Sequence, residues 1–174
     1  MAKRTCMETA LAKLNYRMRT VRELERSLKE LGYEESDIRE TLEELKGFGY
    51  LDDRRYGVEF FRASRKKNWS SQRITRAMKE KGLDCETIRA VMDELEDTDE
   101  LERSGLTLDD RETALQEGLR MAKVHLRSGR EIDEKFLNKV GRRLMTLGYN
   151  SGCCYYVMGR LKDKAALSFE EEEY

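Results

Sequence analysis

The clearest pattern in this chain is a set of apolar and glycine positions that occurs three times. Residues 28–47, 78–97 and 144–163 align without gaps, at offsets of 50 and 66 residues. Self-similarity of this kind indicates repeated supersecondary units. The shared positions are a large apolar residue, a glycine and three further sites of mostly apolar type: Leu28, Met78 and Leu144; Gly32, Gly82 and Gly148; Ile38, Ile88 and Cys154; Leu42, Met92 and Met158; Leu45, Leu95 and Leu161.

The repeated pattern predicts a pair of helices joined by a tight turn. Glycine readily adopts the left-handed backbone that ends a helix, and the apolar residue after it (Tyr33 in the first repeat) packs back on that helix. The apolar positions that follow are spaced by three or four residues, which places them on one face of a second helix. No stretch alternates apolar and polar residues as an amphipathic strand does.

A third helix is predicted before each pair. Thr20 and Glu23 have the spacing of a capping box at the start of the helix that holds Leu28. The preceding helices carry apolar residues on one face: Met7, Leu11 and Leu14; Tyr56, Phe60 and Phe61; Leu115, Leu119, Ala122 and Leu126. The sequence therefore predicts an all-α protein of nine helices, in three tandem three-helix repeats with an elongated, solenoid-like arrangement.

The composition of the chain sets the expected boundaries between the repeats. We expect three-helix units at residues 1–50, 51–98 and 110–165, an acidic linker at 99–109 and an acidic tail at 166–174. The 174 residues include no proline, so long helices are not interrupted. No stretch approaches the apolar length of a membrane span, and the first residues do not resemble a signal peptide. A cytoplasmic protein with no membrane association is expected.

Catalytic and metal-binding chemistry find little support in the sequence. The four cysteines form no C-x-x-C pair, and His125 is the only histidine, so neither a metal site nor a cofactor is expected. No nucleophile motif or phosphate-binding glycine loop is present. His125 lies between apolar positions of a predicted helix, which favours a structural role. We therefore expect a protein that is not an enzyme.

Charge is segregated along the chain although the net charge is only −1. Residues 54–81 hold ten basic and two acidic side chains, whereas residues 84–102 hold nine acidic and one basic side chain. A block this basic is either a solvated helix face or a surface for a polyanion or acidic partner. Trp69 beside it either stacks on a base or packs the turn between two helices, and we favour packing. The candidate binding residues are Arg54, Arg55, Arg62, Arg65, Lys66, Lys67, Arg73, Arg76 and Lys79.

The segment from Gly47 to Tyr56, GFGYLDDRRY, resembles the GYLDD-x-x-(F/Y) signature of the RecX regulatory proteins. The LGY segment at 31–33 and the basic stretch that leads to Lys81-Gly82-Leu83 also resemble that family, as does the tripled three-helix layout. The resemblance implies a regulator of recombination and DNA repair that binds the RecA recombinase filament. Such a regulator restrains filament growth, ATP hydrolysis and strand exchange, and it also binds single- or double-stranded DNA to some degree.

Two other functions are compatible with the same sequence features. The chain is also compatible with a sequence-tolerant DNA-binding protein, because helix–turn–helix geometry occurs in three-helix units. A helical protein–protein adaptor without a nucleic-acid role is the second alternative. In each case we expect a monomer, whose tandem units can contact a polymeric partner at several points.

Overall fold

The computed structural model describes residues 5–96 and 100–171, and the side chains of all of these except residues 100, 102 and 164–171. Within these ranges the chain is helical and has no strand, so the predicted all-α class is confirmed. Nine helices have ten or more residues, and α7 is a single turn. The helices are α1 Cys6–Tyr16, α2 Val21–Glu30, α3 Glu35–Gly47, α4 Asp53–Arg65, α5 Ser71–Glu80, α6 Cys85–Glu96, α7 Glu100–Arg103, α8 Asp110–Arg127, α9 Glu134–Thr146 and α10 Ser151–Glu171.

The three repeated glycines end α2, α5 and α9 in the same way. Gly32, Gly82 and Gly148 have φ angles of 77°, 97° and 94°, which is the left-handed region that glycine adopts without strain. In each repeat the amide after the glycine donates to the carbonyl five residues earlier. The three bonds are Tyr33 to Leu28, Leu83 to Met78 and Tyr149 to Leu144. This is the pattern of the Schellman motif, so the predicted turns are confirmed in detail.

The repeated apolar positions form the buried faces of these helices. The pattern predicts core residues at the four apolar positions of each repeat, and the structure buries Leu28, Met78 and Leu144 completely. Ile38, Ile88 and Cys154 are also buried, as are Leu45, Leu95 and Leu161. At the remaining apolar position Leu42 is buried, whereas Met92 and Met158 are half-buried. The stripe predicted from the sequence is therefore the face that packs inward.

By its internal contacts the chain divides into two compact units. Unit 1 comprises Met1–Phe61 and Thr75–Thr98, and unit 2 comprises Arg62–Ile74 and Asp99–Tyr174. The core of unit 1 includes Leu24, Leu28, Ile38 and Leu45, and the core of unit 2 includes Phe136, Val140, Leu144, Val157 and Leu161. Unit 2 thus contains the end of α4, the start of α5 and the turn between them.

The division of the chain into three repeats with a linker and a tail stays a prediction. α7 lies within the predicted linker at 99–109, and residue 99 falls outside the described residues. Helix α10 continues to Glu171, beyond the expected end of the third repeat at residue 165. Residues 172–174 of the predicted tail also lie outside the described residues.

Candidate interaction surface

The nine basic residues selected from the sequence lie on α4, on α5 and in the turn between them. Arg54, Arg55, Arg76 and Lys79 belong to unit 1, and the other five belong to unit 2. Their side chains differ widely in exposure. Arg55, Lys66, Lys67, Arg76 and Lys79 are exposed, Arg62 and Arg73 are half-buried, and Arg65 is buried. Arg54 is exposed and forms an ion pair with Glu94, with 2.6 Å between Nε and Oε2.

Arg65 is one of the candidate binding residues, but it does not project from the fold and has a structural role inside unit 2. Its side chain is fully buried, and its guanidinium donates to the carbonyl oxygens of Thr107, Leu108 and Trp69 at 2.7–2.9 Å. It also donates to the side chains of Ser71 and Asp110. A guanidinium has five N–H donors in a rigid fork, which suits it to joining several carbonyl groups. Because these donors are used inside unit 2, Arg65 is not available to a partner.

Trp69 and Arg73 form a second structural contact at the start of α5. The guanidinium carbon of Arg73 lies 3.9 Å from the centroid of the Trp69 ring, and its Nη1 donates to the carbonyl oxygen of Thr146. Trp69 is partly buried against the core of unit 2. The favoured interpretation of Trp69 as a packing residue therefore fits the structure, and Arg73 covers one face of the ring.

The turn between α4 and α5 is held in place by bonds to the third repeat. Asn68 has a positive φ of 58°, and its carbonyl oxygen accepts a hydrogen bond from the Tyr149 hydroxyl at 2.9 Å. Ser70 donates through its hydroxyl to the carbonyl oxygen of Gly148 at 2.7 Å. Lys66 and Lys67 immediately precede this fixed segment and are both exposed. Their backbone is therefore anchored while their ammonium groups stay in solvent.

Glu117 is a buried charged residue of unit 2 that the sequence analysis does not predict. It lies on α8 with a side chain only 1% exposed. Its Oε1 accepts hydrogen bonds from Arg143 on α9 and from Arg120, and its Oε2 accepts from Arg120 and from Asn68. The sequence carried one available signal, because Glu117 falls between Ala114 and Met121, on the apolar side of the helix. The carboxylate therefore joins α8, α9 and the α4–α5 turn.

The hydrogen bonds to Glu117 decide its protonation state. Burial alone would raise the pKa of this carboxyl, but the bonds from Arg120, Arg143 and Asn68 outweigh burial and lower the pKa below its usual value of 4.5. A carboxyl whose pKa is lower in the folded than in the unfolded protein stabilises the fold above the unfolded-state pKa. This contribution is lost as the pH falls through the folded-state pKa.

We accordingly expect the stability contribution of Glu117 to depend on pH. Glu117→Gln keeps the shape of the side chain but removes the charge that the two arginines bind, so it should lower the thermal unfolding temperature at pH 7. The gap between wild type and variant should narrow progressively as the pH is lowered below 4.5, the usual carboxyl pKa. Thermal denaturation of both proteins across this pH range measures the gap, and a gap independent of pH would contradict the assignment.

His125 and Cys153 have structural surroundings. The His125 ring stacks on Phe136 with 4.1 Å between ring centroids, and its Nε2 lies 2.9 Å from the carbonyl oxygen of Glu131. Burial raises the pKa of the Cys153 thiol to about 11, which keeps it protonated and poorly nucleophilic at neutral pH. In the described part of the chain, no group of three or more His, Cys, Asp or Glu side chains is placed to hold a metal ion.

None of the helices within the described ranges is both long enough and apolar enough to cross a membrane.

Comparison with known proteins agrees with the fold and with the repeats. Residues 6–45 match the model of the first three-helix domain of RecX, and residues 52–92 match the model of its second three-helix domain. The fold is similar to the crystal structure of RecX from Lactobacillus salivarius, with a TM-score of 0.66 and 21% sequence identity over 90% of this chain and 94% of that one. No curated protein matches the sequence.

A second solved structure gives the same result. The crystal structure of regulatory protein RecX is similar with a TM-score of 0.61 and 22% identity, over 87% of this chain and 69% of that chain. Both structures agree with an all-helical protein built from tandem three-helix domains. Because the first two RecX domains occur here in order and adjacent to each other, the chain belongs to the RecX family.

Proposed function

We propose that this protein binds the RecA recombinase on its nucleoprotein filament and restrains filament growth, ATP hydrolysis and strand exchange. The observation that carries the proposal is the ordered pair of RecX domains, which join at the GYLDD signature of residues 49–53. A regulator built from tandem domains can contact several protomers of a polymer, so weak individual contacts add up to high occupancy.

The exposed cations of the middle repeat are the proposed contact residues. Lys66 and Lys67 in unit 2, and Arg55, Arg76 and Lys79 in unit 1, have no ion-pair partner among the side chains that the structure describes. An anionic partner would therefore not have to displace an existing ion pair. Arg65 and Arg73 are excluded from this role, since their guanidinium groups hold backbone carbonyls of unit 2.

The direct test is ATP hydrolysis by the recombinase of the same organism on single-stranded DNA. The wild-type protein should lower the steady-state rate in a concentration-dependent manner. A rate that does not change at any concentration, with binding to the filament also undetectable, would refute the proposal. The same assay rejects the adaptor alternative if inhibition is found.

Two double variants should show which exposed cations make the contact. Lys66→Ala with Lys67→Ala, and separately Arg76→Ala with Lys79→Ala, remove two charges each while leaving Arg65 intact. Because an exposed charge contact contributes about 0.2–1 kcal/mol, the concentration for half-inhibition should rise roughly twofold to thirtyfold for the pair that contacts the filament. The helical circular dichroism signal should not change.

The matched control removes two exposed arginines outside the basic block. Arg39→Ala with Arg89→Ala gives the same change in net charge on α3 and α6. This control should inhibit like the wild type. If both double variants inhibit as well as the control, the α4–α5 cations are not the contact residues, although the protein can still be a recombinase regulator.

A further inference from the structure

The chain carries a run of four glutamates, Glu170 to Glu173. This acidic run belongs to the predicted acidic tail, and its side chains lie outside the described part of the chain. Side chains of like charge repel each other, and runs of this kind commonly bind a surface of opposite charge. The surface within reach depends on where helix α10, which continues to Glu171, carries the backbone.

Helix α10 runs alongside α8 in the same direction. The thiol of Cys153, near the start of α10, donates to the carbonyl oxygen of Asp110, the first residue of α8, with 3.7 Å between the two atoms. Further along both helices, Gly118 of α8 packs against Val157 and Leu161 of α10. Both helices therefore advance toward the same end of unit 2.

The end of α10 is level with the end of α8. The step from Asp110 to Arg127 is as long in residues as the step from Cys153 to Glu170. At about 1.5 Å per residue, each step covers about 26 Å of helix. The backbone at Glu170 is therefore carried to the height of the last turn of α8.

Helix α9 begins at this same end of unit 2, because it runs in the opposite direction to α8. His125 in the last turn of α8 stacks on Phe136 in the first turn of α9. Arg143 near the end of α9 donates to Glu117 in the middle of α8. The last turn of α8 and the first turns of α9 thus lie together where α10 ends.

Five exposed cations lie at this end of unit 2, and none of them has an ion-pair partner among the side chains that the structure describes. They outnumber the three acidic side chains of residues 131–134. Basic residues four positions apart on each of the two helices share one helix face. We call these five residues the α8–α9 end surface: Lys123, Arg127, Arg130, Lys135 and Lys139.

We propose that the acidic run binds the α8–α9 end surface of its own chain and acts as a built-in competitor for anionic partners of unit 2. Because α10 joins the run to this end of the unit, its effective concentration is about millimolar, as for other short connections. Each exposed ion pair shifts an equilibrium only about 1.4- to 5-fold, so a partner with more charges can displace the run. The contact therefore sets a threshold that weak anionic partners do not pass.

Zero-length cross-linking of the full-length protein tests this contact. A carbodiimide joins a carboxylate to an amine only where the two touch, with loss of water. The proposal predicts bonds from the acidic run to Lys123, Lys135 or Lys139, identified by mass spectrometry. These bonds should become several-fold rarer at high salt, because salt screens exposed ion pairs.

The pattern of cross-links can also contradict the proposal. Bonds confined to Lys162 and Lys164 of α10, or formed mainly with Lys66 and Lys67, would overturn it. An equal mixture of isotopically light and heavy protein shows whether the bonds form within one chain. Bonds that join light to heavy chains as often as light to light would place the contact between copies and would also overturn the proposal.

A variant without the four charges should uncover the end surface. The variant is Glu170→Gln, Glu171→Gln, Glu172→Gln and Glu173→Gln. An ammonium group held in an ion pair is acetylated more slowly, so the three lysines of the end surface should react about 1.4- to 5-fold faster in the variant than in the wild type. The rates of Lys66 and Lys67, which are exposed in the same unit, should not change.

The matched control removes the same charge from unit 1. Glu34→Gln, Glu40→Gln, Glu44→Gln and Glu86→Gln change four exposed glutamates. This control should leave the acetylation rates of the end surface at their wild-type values. Equal increases in the two variants, or no increase in the first, would overturn the proposal. No recombinase or nucleic acid is present, so neither result affects the proposed restraint of the RecA filament.

Discussion

Arg65→Met is expected to lower the free energy of unfolding by about 3–5 kcal/mol, the range for removing one partner of a buried charged network. Methionine fills a similar volume but has no N–H groups. The carbonyl oxygens of Thr107, Leu108 and Trp69 would then lose their bonds to this side chain inside unit 2, and Asp110 would lose its cation. Urea denaturation followed by the helical circular dichroism signal measures the change.

Lys66→Met is the matched control for Arg65→Met. Lys66 is the next residue along the chain and is exposed, so the same substitution there should change stability by no more than about 0.5 kcal/mol. Comparable losses for both variants would mean that the charge of the segment, and not the buried network of Arg65, determines stability. Arg65→Lys should lower the free energy of unfolding about as much as Arg65→Met, because an ammonium group cannot reproduce the planar fork of donors.

Leu144→Ala is the second substitution with a large expected effect. Leu144 has no exposed surface and occupies the first apolar position of the third repeat, in the core of unit 2. Its truncation should lower the free energy of unfolding by about 2–5 kcal/mol, since the removed methyl groups leave a cavity that the neighbouring side chains fill only in part.

The adjacent residue gives the control for Leu144. Met145 lies on the same helix and is 64% exposed. Met145→Ala should therefore cost no more than about 0.5 kcal/mol by urea denaturation. A small effect at both positions would show that α9 does not pack through the predicted stripe, and it would contradict the alignment of the three repeats.

Much of the fold could be predicted because its signals are local. Gly32, Gly82 and Gly148 end their helices through bonds that span only five residues, so a short sequence window contains all of the information. The apolar stripe of α3, with Ile38, Leu42 and Leu45, is likewise defined within a single helix. The glycine turn and the apolar stripe occur in each repeat, so each repeat supports the same prediction.

The errors and omissions concern residues whose partners are distant in sequence. The local sequence does not distinguish Arg65 from its exposed neighbour Lys66, because the carbonyl groups that Arg65 binds belong to Thr107 and Leu108, far along the chain. The role of Glu117 is not predictable for the same reason, since its partners Asn68 and Arg143 lie 49 and 26 residues away. The charge pattern alone therefore could not separate the structural cations of the basic region from its accessible ones.

The bonds that hold the α4–α5 turn also fix an order of events during synthesis. Ser70 donates to the carbonyl oxygen of Gly148, a residue that is added to the chain 78 positions later. At about 5–20 residues per second, the ribosome needs roughly 4–16 s to make that stretch. The described core of helices α1 to α3 is formed by residues between Cys6 and Leu51, so these helices can pack while translation continues. The nascent turn, with its cluster of cations, must wait until the last repeat has left the exit tunnel.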